Sequence, residues 1–459
     1  GVVLSASLAS PAETGRSEDR AEPCWVLFLD RDLSAAEEGA ALRARMEELS
    51  PRALARRRRL REGPALSVED LPPSASYVEA VGATGARVRV RSRWLNAISV
   101  DATESQLQRI RRMPFVAEVR PVRRSSAPTW SGPAGAPGGA PLGPPGENGR
   151  AEEQLATLGV PELHECGLTG EGVVVGVMDT GFSREHPAFA ELAVIAERDF
   201  VQGDDNTADQ AGDTPRQHDH GTMVLSLLAG SETGEFSGAA PGASVLLAKI
   251  DDLGQDTPVE DDWWVAGLEW LESEGADLVT SSIGYCAGGG ECVPELLDGQ
   301  TEPTTLAATA AVARGLILVA AAGNHGPSPT SVHAPAEGDG VIAVGSVTSD
   351  GQVAFDCSRG PTFDGRTKPD VMGPGVGVAV ADPSGTGYLT VNGTSFAAPL
   401  VAGVVALLLQ ARPELGPAEV LSLLRASASH ADDPDNTHGW GLVDGVAVAA
   451  SYCDGGGED

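Results

Sequence analysis

Five short apolar runs in the last two thirds of the chain constrain its fold more than any other feature. Gly172–Met178, Ser244–Ile250, Leu278–Ile283, Leu316–Ala321 and Val341–Gly345 are rich in β-branched and other apolar residues. Helix-patterned stretches accompany them at His220–Ala229, Asp261–Ser273, Pro303–Arg314 and Thr394–Gln410. Near-continuous apolar strands must be covered on both faces, and parallel neighbours need a crossover between them. The alternation therefore predicts an α/β unit, a doubly wound parallel sheet with helices on both faces. In such sheets chemistry sits at the carboxyl ends of the strands. With 459 residues, 41% of them apolar, the chain has room for this unit and a second one.

Charge marks where the second one lies. The formal net charge is -33, which argues against nucleic acid as a partner because phosphates would be repelled. Residues 1–150 carry +4 and residues 151–459 carry -37. The sign changes at Ser125–Gly149, a Pro/Gly-rich stretch with no helical or strand period. It reads as an accessible linker, either an ordinary hinge or a segment meant to be cut. The expected organisation is a lead over 1–21, a domain over 22–125, a linker over 126–150, a second domain over 151–453 and a tail over 454–459. Gly1–Ala12 is apolar and small and resembles the end of a secretory signal. The most apolar run, Phe396–Leu409, is about 14 residues against the ~20 a bilayer requires, and Pro399 lies near its start. It reads as a buried core helix, and no membrane partner is expected.

The first unit reads as small and α+β. Trp25–Asp30 is strand-like, Ser34–Leu49 helical with Ser34 as N-cap, and Pro51–Arg61 a basic helix. Ser74–Val81 reads as helix, Ala86–Val100 as one or two strands, Thr103–Met113 as helix and Phe115–Val119 as a last strand. This order suggests an antiparallel, ferredoxin-like sheet with helices. The unit has no His and no catalytic cluster. Its four consecutive arginines, Arg56–Arg59, suit a solvated helix face or a docking face for the acidic second unit better than RNA or membrane.

Polar exceptions interrupt the second unit where the strands end. The first strand runs into Asp179-Thr180-Gly181, and His218-Asp219-His220-Gly221-Thr222 opens a helix. Leu316–Ala322 leads into Gly323-Asn324, and Asn392-Gly393-Thr394-Ser395-Phe396-Ala397-Ala398-Pro399 opens the long apolar helix. Each alone is ordinary, a cap or a turn. Together, in this order, they form a catalytic set. A Ser hydroxyl is a poor nucleophile until a base takes its proton, and the imidazole of His220 is suited to be that base. Asp179 would orient the imidazole. Asn324 and the backbone N–H of Ser395, at a helix start, would stabilise an oxyanion.

These motifs resemble those of the subtilisin-like serine proteases, the subtilases, over nearly all of residues 155–450. Val175-Gly176-Val177-Met178-Asp179-Thr180-Gly181, His220-Gly221-Thr222, Ala321-Ala322-Gly323-Asn324 and Gly393-Thr394-Ser395-Phe396-Ala397-Ala398-Pro399 carry the resemblance, in the family's chain order. It implies a secreted endopeptidase with Asp179, His220 and Ser395 as the triad and Asn324 and Ser395 as the oxyanion hole. It also implies that Ser282-Ile283-Gly284 pairs with the substrate backbone as an added strand, with Ala322 and Gly323 lining the same cleft. The first unit is similar to the family's propeptide, an intramolecular chaperone and inhibitor, through Leu49-Ser50-Pro51-Arg52 and Ser92-Arg93-Trp94-Leu95-Asn96. Partners are then protein or peptide substrates and the chain's own propeptide, a monomer is expected, and the chemistry requires no cofactor.

Other features have plainer readings. His218 with Asp219 lacks the further ligands that zinc needs, and His164 and His186 read as surface or capping residues. Asp204, Asp205, Asp209 and Asp213 make a carboxylate-rich loop, either solvated or, since subtilases often bind calcium, a structural calcium site. Trp263, Trp264 and Trp270 read as core packing. Cys286 and Cys292 bracket a short loop that a disulfide could close, while the pairing of Cys24, Cys166, Cys357 and Cys453 stays open. Two rival functions remain. An esterase of the α/β-hydrolase type is disfavoured, because Gly393-Thr394-Ser395 is not its G-x-S-x-G elbow. A secreted binding protein on a dead protease scaffold is disfavoured by the complete tetrad.

Overall fold

The structure is a computed structural model that describes residues 20–60, 63–122, 149–253, 260–285 and 293–453. The secretory-signal reading of Gly1–Ala12, most of the 126–150 linker, the Cys286–Cys292 loop and the tail after 453 lie outside these residues.

The first unit opens with strand β1 (Glu22–Phe28), followed by helices α1 (Ala35–Glu48), α2 (Pro51–Leu60) and α3 (Ala75–Gly82). Strands β2 (Arg87–Ser92) and β3 (Ala97–Ala102), helix α4 (Glu104–Ile110) and strand β4 (Val116–Pro121) complete it. The sheet order is β2-β3-β1-β4 with antiparallel neighbours, the split β-α-β-β-α-β arrangement expected. Ser34 caps α1 through a capping box, its N–H donating to the Glu37 carboxylate at 2.8 Å. The stretch Ala86–Val100 holds two strands because the chain turns at Asn96, whose φ of 47° is a left-handed value Asn tolerates.

The second unit begins with helices α5 (Glu152–Ala156) and α6 (Val160–Glu165), strands β5 (Val174–Asp179) and β6 (Ala193–Asp199) and helix α7 (Asp219–Ala229). A small hairpin, β7 (Ser231–Glu232) and β8 (Phe236–Ser237), precedes β9 (Ser244–Lys249), α8 (Glu260–Glu274), β10 (Leu278–Ser281), α9 (Pro303–Val312) and β11 (Ile317–Ala321). Then come β12 (Ile342–Val347), β13 (Val371–Pro374), a hairpin of β14 (Val376–Ala381) and β15 (Tyr388–Asn392), and helices α10 (Thr394–Ala411), α11 (Pro417–Ser427) and α12 (Gly445–Cys453). Seven strands form one parallel sheet in the order β13-β12-β11-β10-β5-β9-β6. Strands after β5 fill first one side of it and then the other. The carboxyl end of β5 is thus a topological switch point, and Asp179 stands there.

Helices α7 and α10 pack in the core on one face of the sheet, and α8 and α9 in the core on the other. Helix α10 is long and apolar enough to cross a membrane by composition, yet 89% of that stretch is buried inside the fold. A disulfide joins Cys166, just after α6, to Cys453 at the end of α12, while Cys24 and Cys357 are free thiols that burial pushes up to about 11.

Trp25, Trp94, Ala97 and Val122 of the first unit belong to the same core as α8 and α9, so the two units share one apolar interior. Ion pairs surround it. Arg89 pairs with Asp262 at 2.9 Å, and Ser92 donates to Glu269 at 2.6 Å. Of the four arginines, Arg56 and Arg57 turn inward with Ala53 and are buried, whereas Arg58 and Arg59 are exposed. Arg57 grips the Glu272 carboxylate with two donors at 2.7 and 2.8 Å, and Arg56 also donates to it. Asp70 accepts from Arg57 at 2.9 Å and from Arg314 of the second unit at 2.7 Å. The docking-face reading therefore holds for two of the four arginines, and helical phase decides which.

Candidate active site

Strand β5 delivers Asp179 to the switch point fully buried. Its Oδ1 accepts the N–H of Thr180 at 2.8 Å and meets Nδ1 of His220 at 2.7 Å. A carboxylate can only accept from the ring, so Nδ1 carries the proton and Nε2 presents a lone pair. His220 lies in the first turn of α7, and Gly221 lets that turn sit directly on the end of β5. A Cβ at Gly221 would fall 2.1 Å from the Gly181 carbonyl oxygen and 2.9 Å from Cβ of Asp179. Nε2 of His220 is buried and has no hydrogen-bond partner among the described residues. The Phe396 ring, next in sequence to Ser395, packs 5.5 Å from the imidazole centroid.

Ser395 is in the first turn of α10, where the last-strand hairpin ends at Gly393 with a φ of 146°. Its hydroxyl donates to the Ser282 carbonyl at 3.2 Å, and the Ser282 hydroxyl donates back to the Ser395 carbonyl at 2.7 Å. The Ser395–His220 hydrogen bond implied by the triad is therefore not made in this conformer, because the hydroxyl proton is satisfied by Ser282. A change of χ1 rotamer would release it. Asn324 follows β11, and its Oδ1 accepts from the N–H and hydroxyl of Thr394 at 3.0 and 2.9 Å. Two donors on Oδ1 fix the amide flip, which leaves Nδ2 on the Gly393 side. The sequence reading gave Thr394 no role, although it sits beside the nucleophile in the same motif.

Past the ends of β10 and β11 the backbones of Ser282-Ile283-Gly284 and Ala322-Gly323 diverge. Ile283 is buried, so only its backbone could meet a ligand. The N–H of Ala322 donates to Val344 O at 2.9 Å and its carbonyl accepts from His333 N at 3.0 Å, while Gly323 N donates to the Thr394 hydroxyl at 3.2 Å. Ala322 thus spends its backbone groups on the fold and lines the cleft by position alone. His333 lies against both glycines and was not foreseen, since nothing near it in sequence marks it.

The secondary features resolve simply. Nδ1 of His218 accepts from the backbone N–H of Asp209 at 3.0 Å, and His186 caps a short turn by accepting from Ala188 N at 3.1 Å. Among the described residues no group of three or more His, Cys, Asp or Glu is placed to hold a metal. In the acidic loop, buried Lys249 puts its ammonium 3.0 Å from Asp199 and 2.6 Å from Asp213. Of the loop's four candidate aspartates, Asp213 is thus paired with a resident cation. Trp264 is core, donating to Ser281 at 3.0 Å, whereas Trp263 stacks under Arg89 of the first unit at 5.5 Å.

A parallel sheet with an Asp–His pair at its switch point and a Ser at a helix start defines a class, and comparison with known proteins gives its family. Residues 170–441 match the subtilase family, Peptidase S8, and residues 23–131 match the Peptidase S8 propeptide domain of Bacteroidota. The chain belongs to the subtilase family: it is a subtilisin-family serine protease with an N-terminal propeptide domain. Subtilisin E of Bacillus subtilis (strain 168) is 30% identical over 382 residues, covering 82% of this chain and 86% of that protein. Serine protease AprX of the same strain is 32% identical over 308 residues, 60% of this chain and 66% of that protein. Fervidolysin from Fervidobacterium pennivorans, a keratinolytic enzyme related to subtilisin, shares the fold with a TM-score of 0.66 at 23% identity. The match covers 94% of this chain and 61% of fervidolysin.

Proposed function

We propose that the chain is a secreted serine endopeptidase made as a zymogen, acting on protein or peptide substrates as a monomer. The observation that carries this reading is the 2.7 Å contact between Asp179 Oδ1 and His220 Nδ1, which leaves Nε2 as a buried base without a partner among the described residues. The substrate backbone adds alongside Ser282–Gly284. Ser395 turns from Ser282 toward Nε2, gives up its proton there and attacks the scissile carbonyl. Asn324 Nδ2 and the Ser395 N–H receive the oxyanion. On collapse His220 protonates the leaving amine, and water then hydrolyses the acyl-enzyme by the same route reversed. The cycle closes in these side chains and water, so no cofactor is invoked. Export is supported by the apolar start Gly1–Ala12 and by the Cys166–Cys453 disulfide.

The test uses the full chain and its Ser395→Ala variant. Wild type is expected to label with a fluorophosphonate at Ser395, to cleave casein, and to cut itself within 126–150, as read by sequencing the new N-terminus. Identical cutting of the variant without added protease would refute self-processing. Absence of labelling in the processed chain would favour the dead scaffold, and ester hydrolysis without casein turnover would favour the esterase.

A further inference from the structure

Three backbone segments enclose a bay beside Ser395. Strands β10 and β11 are neighbours up to the pair Ser281 and Ala320. Beyond it one wall runs Ser282-Ile283-Gly284 and the other Ala322-Gly323-Asn324. The bay opens at Ser395, whose hydroxyl meets Ser282 O at 3.2 Å, and at Asn324, tied to Thr394. Its far end is closed by residues 333–334. Tyr285 N donates to Ala334 O at 2.8 Å, Ala334 N to Tyr285 O at 3.1 Å, and His333 N to Ala322 O at 3.0 Å.

The His333 side chain stands between the walls. A Cβ on Gly284 would lie 3.0 Å from its Cβ and Nδ1, and one on Gly323 only 2.5–2.7 Å from Cδ2, Nε2 and Cε1. Gly323 also has a φ of 108°, so both sterics and backbone require glycine there. The ring cannot swing away freely, because its Nε2 shares a 2.7 Å hydrogen bond with Nδ1 of His325, the residue after Asn324. It is 6% exposed, and burial together with the neighbouring imidazole lowers its pKa to about 3. A neutral ring offers no charge to attract a carboxylate.

On the endopeptidase reading, in which Ser395 attacks and Asn324 receives the oxyanion, the substrate residue that bears the scissile carbonyl sits at the mouth of this bay. We propose that His333 fills the floor of the pocket for the side chain immediately N-terminal to the scissile bond, so that glycine, alanine and serine are favoured there. The proposal rests on the endopeptidase reading above and adds the substrate class to it.

The test compares peptide anilides that differ only in this residue, Ala, Leu or Phe, using the full chain after self-processing. Wild type is expected to show kcat/KM for Ala at least about tenfold above Phe, the scale on which a pocket discriminates by a few methylenes. His333→Ala is expected to narrow or invert that ratio by about tenfold, mainly by raising the Phe value, with fluorophosphonate labelling of Ser395 retained. His325→Ala, which keeps the ring but removes the bond that tethers it, is expected to narrow the ratio by less than His333→Ala. A wild type that cleaves Phe as well as Ala overturns the proposal, whether or not the variant folds. An unchanged ratio in a labelled His333→Ala enzyme overturns it too. Wild type that neither labels nor cleaves any anilide means that the endopeptidase reading has failed and takes the proposal with it.

Discussion

Thr394 donates to the Asn324 carbonyl oxygen through its backbone N–H and its hydroxyl, and the hydroxyl accepts from Gly323 N, so one residue aims the amide and ties it to the chain after β11. Replacing Asn324 by Ala is expected to lower kcat by about 10²–10³-fold with little change in KM, a magnitude carried over from subtilisin's own oxyanion donor. Thr394→Val keeps one of the two donors, and its loss in steady-state kinetics should be clearly smaller. Glu337 presents a different case. It is buried, accepts from Thr305 at 2.6 Å, and burial pushes its carboxyl up to about 8. The folded state therefore holds a proton that the unfolded state releases near the ordinary carboxyl value of 4.5. Stability should fall as pH rises from about 4.5 to about 8, by up to about 1.4 kcal/mol per unit for one proton. Melting curves across that range should show a shallower pH dependence for Glu337→Gln than for wild type, and equal slopes would refute the assignment.

Among elements, α2 is the most consequential piece of the first unit. Its inward arginines meet Glu272 near the end of α8, and burial would raise that carboxyl were it not held low by Arg57 and Arg56. Glu272→Ala would leave Arg56 buried without its carboxylate partner and Arg57 with Asp70 alone. The cost expected for such a broken pair is about 3–5 kcal/mol, readable by urea denaturation of the uncut Ser395→Ala chain with and without the substitution. A loss under about 1 kcal/mol would show that the network is screened like a surface pair. Local pattern showed α2 and its charge, because both are written in ten consecutive residues. It could not name Glu272, which is 215 residues from Arg57. Strand β6 escaped the periodic reading because its seven residues end in Glu-Arg-Asp at a sheet edge, and β13 because it is four residues ending in Gly-Pro.

At the scale of the molecule, the four site motifs were legible because each lies where a strand or helix changes direction, and such ends are punctuated by Gly and small polar residues. What sequence could not supply is convergence. His333 and Lys249 look like ordinary residues until the fold brings one against two glycines and the other between two aspartates. The Cys166–Cys453 pairing is of the same kind, spanning 287 residues. Replacing both cysteines by Ser should cost about 2–4 kcal/mol in chemical denaturation while leaving kcat unchanged, since the link joins α6 to α12 away from Ser395. A drop in kcat would mean that this clasp also shapes the site.

Arg52 binds Asp277, the residue just before β10, while Ser282 follows the same strand at its other end. The amino-terminal third thus has its handhold on the side of the sheet remote from the scissors. Severing the tether between the halves would leave them travelling together through a sizing column, held by their shared interior. Their parting would then be timed by how slowly Trp25 and Trp94 let go of that interior, not by the cut itself.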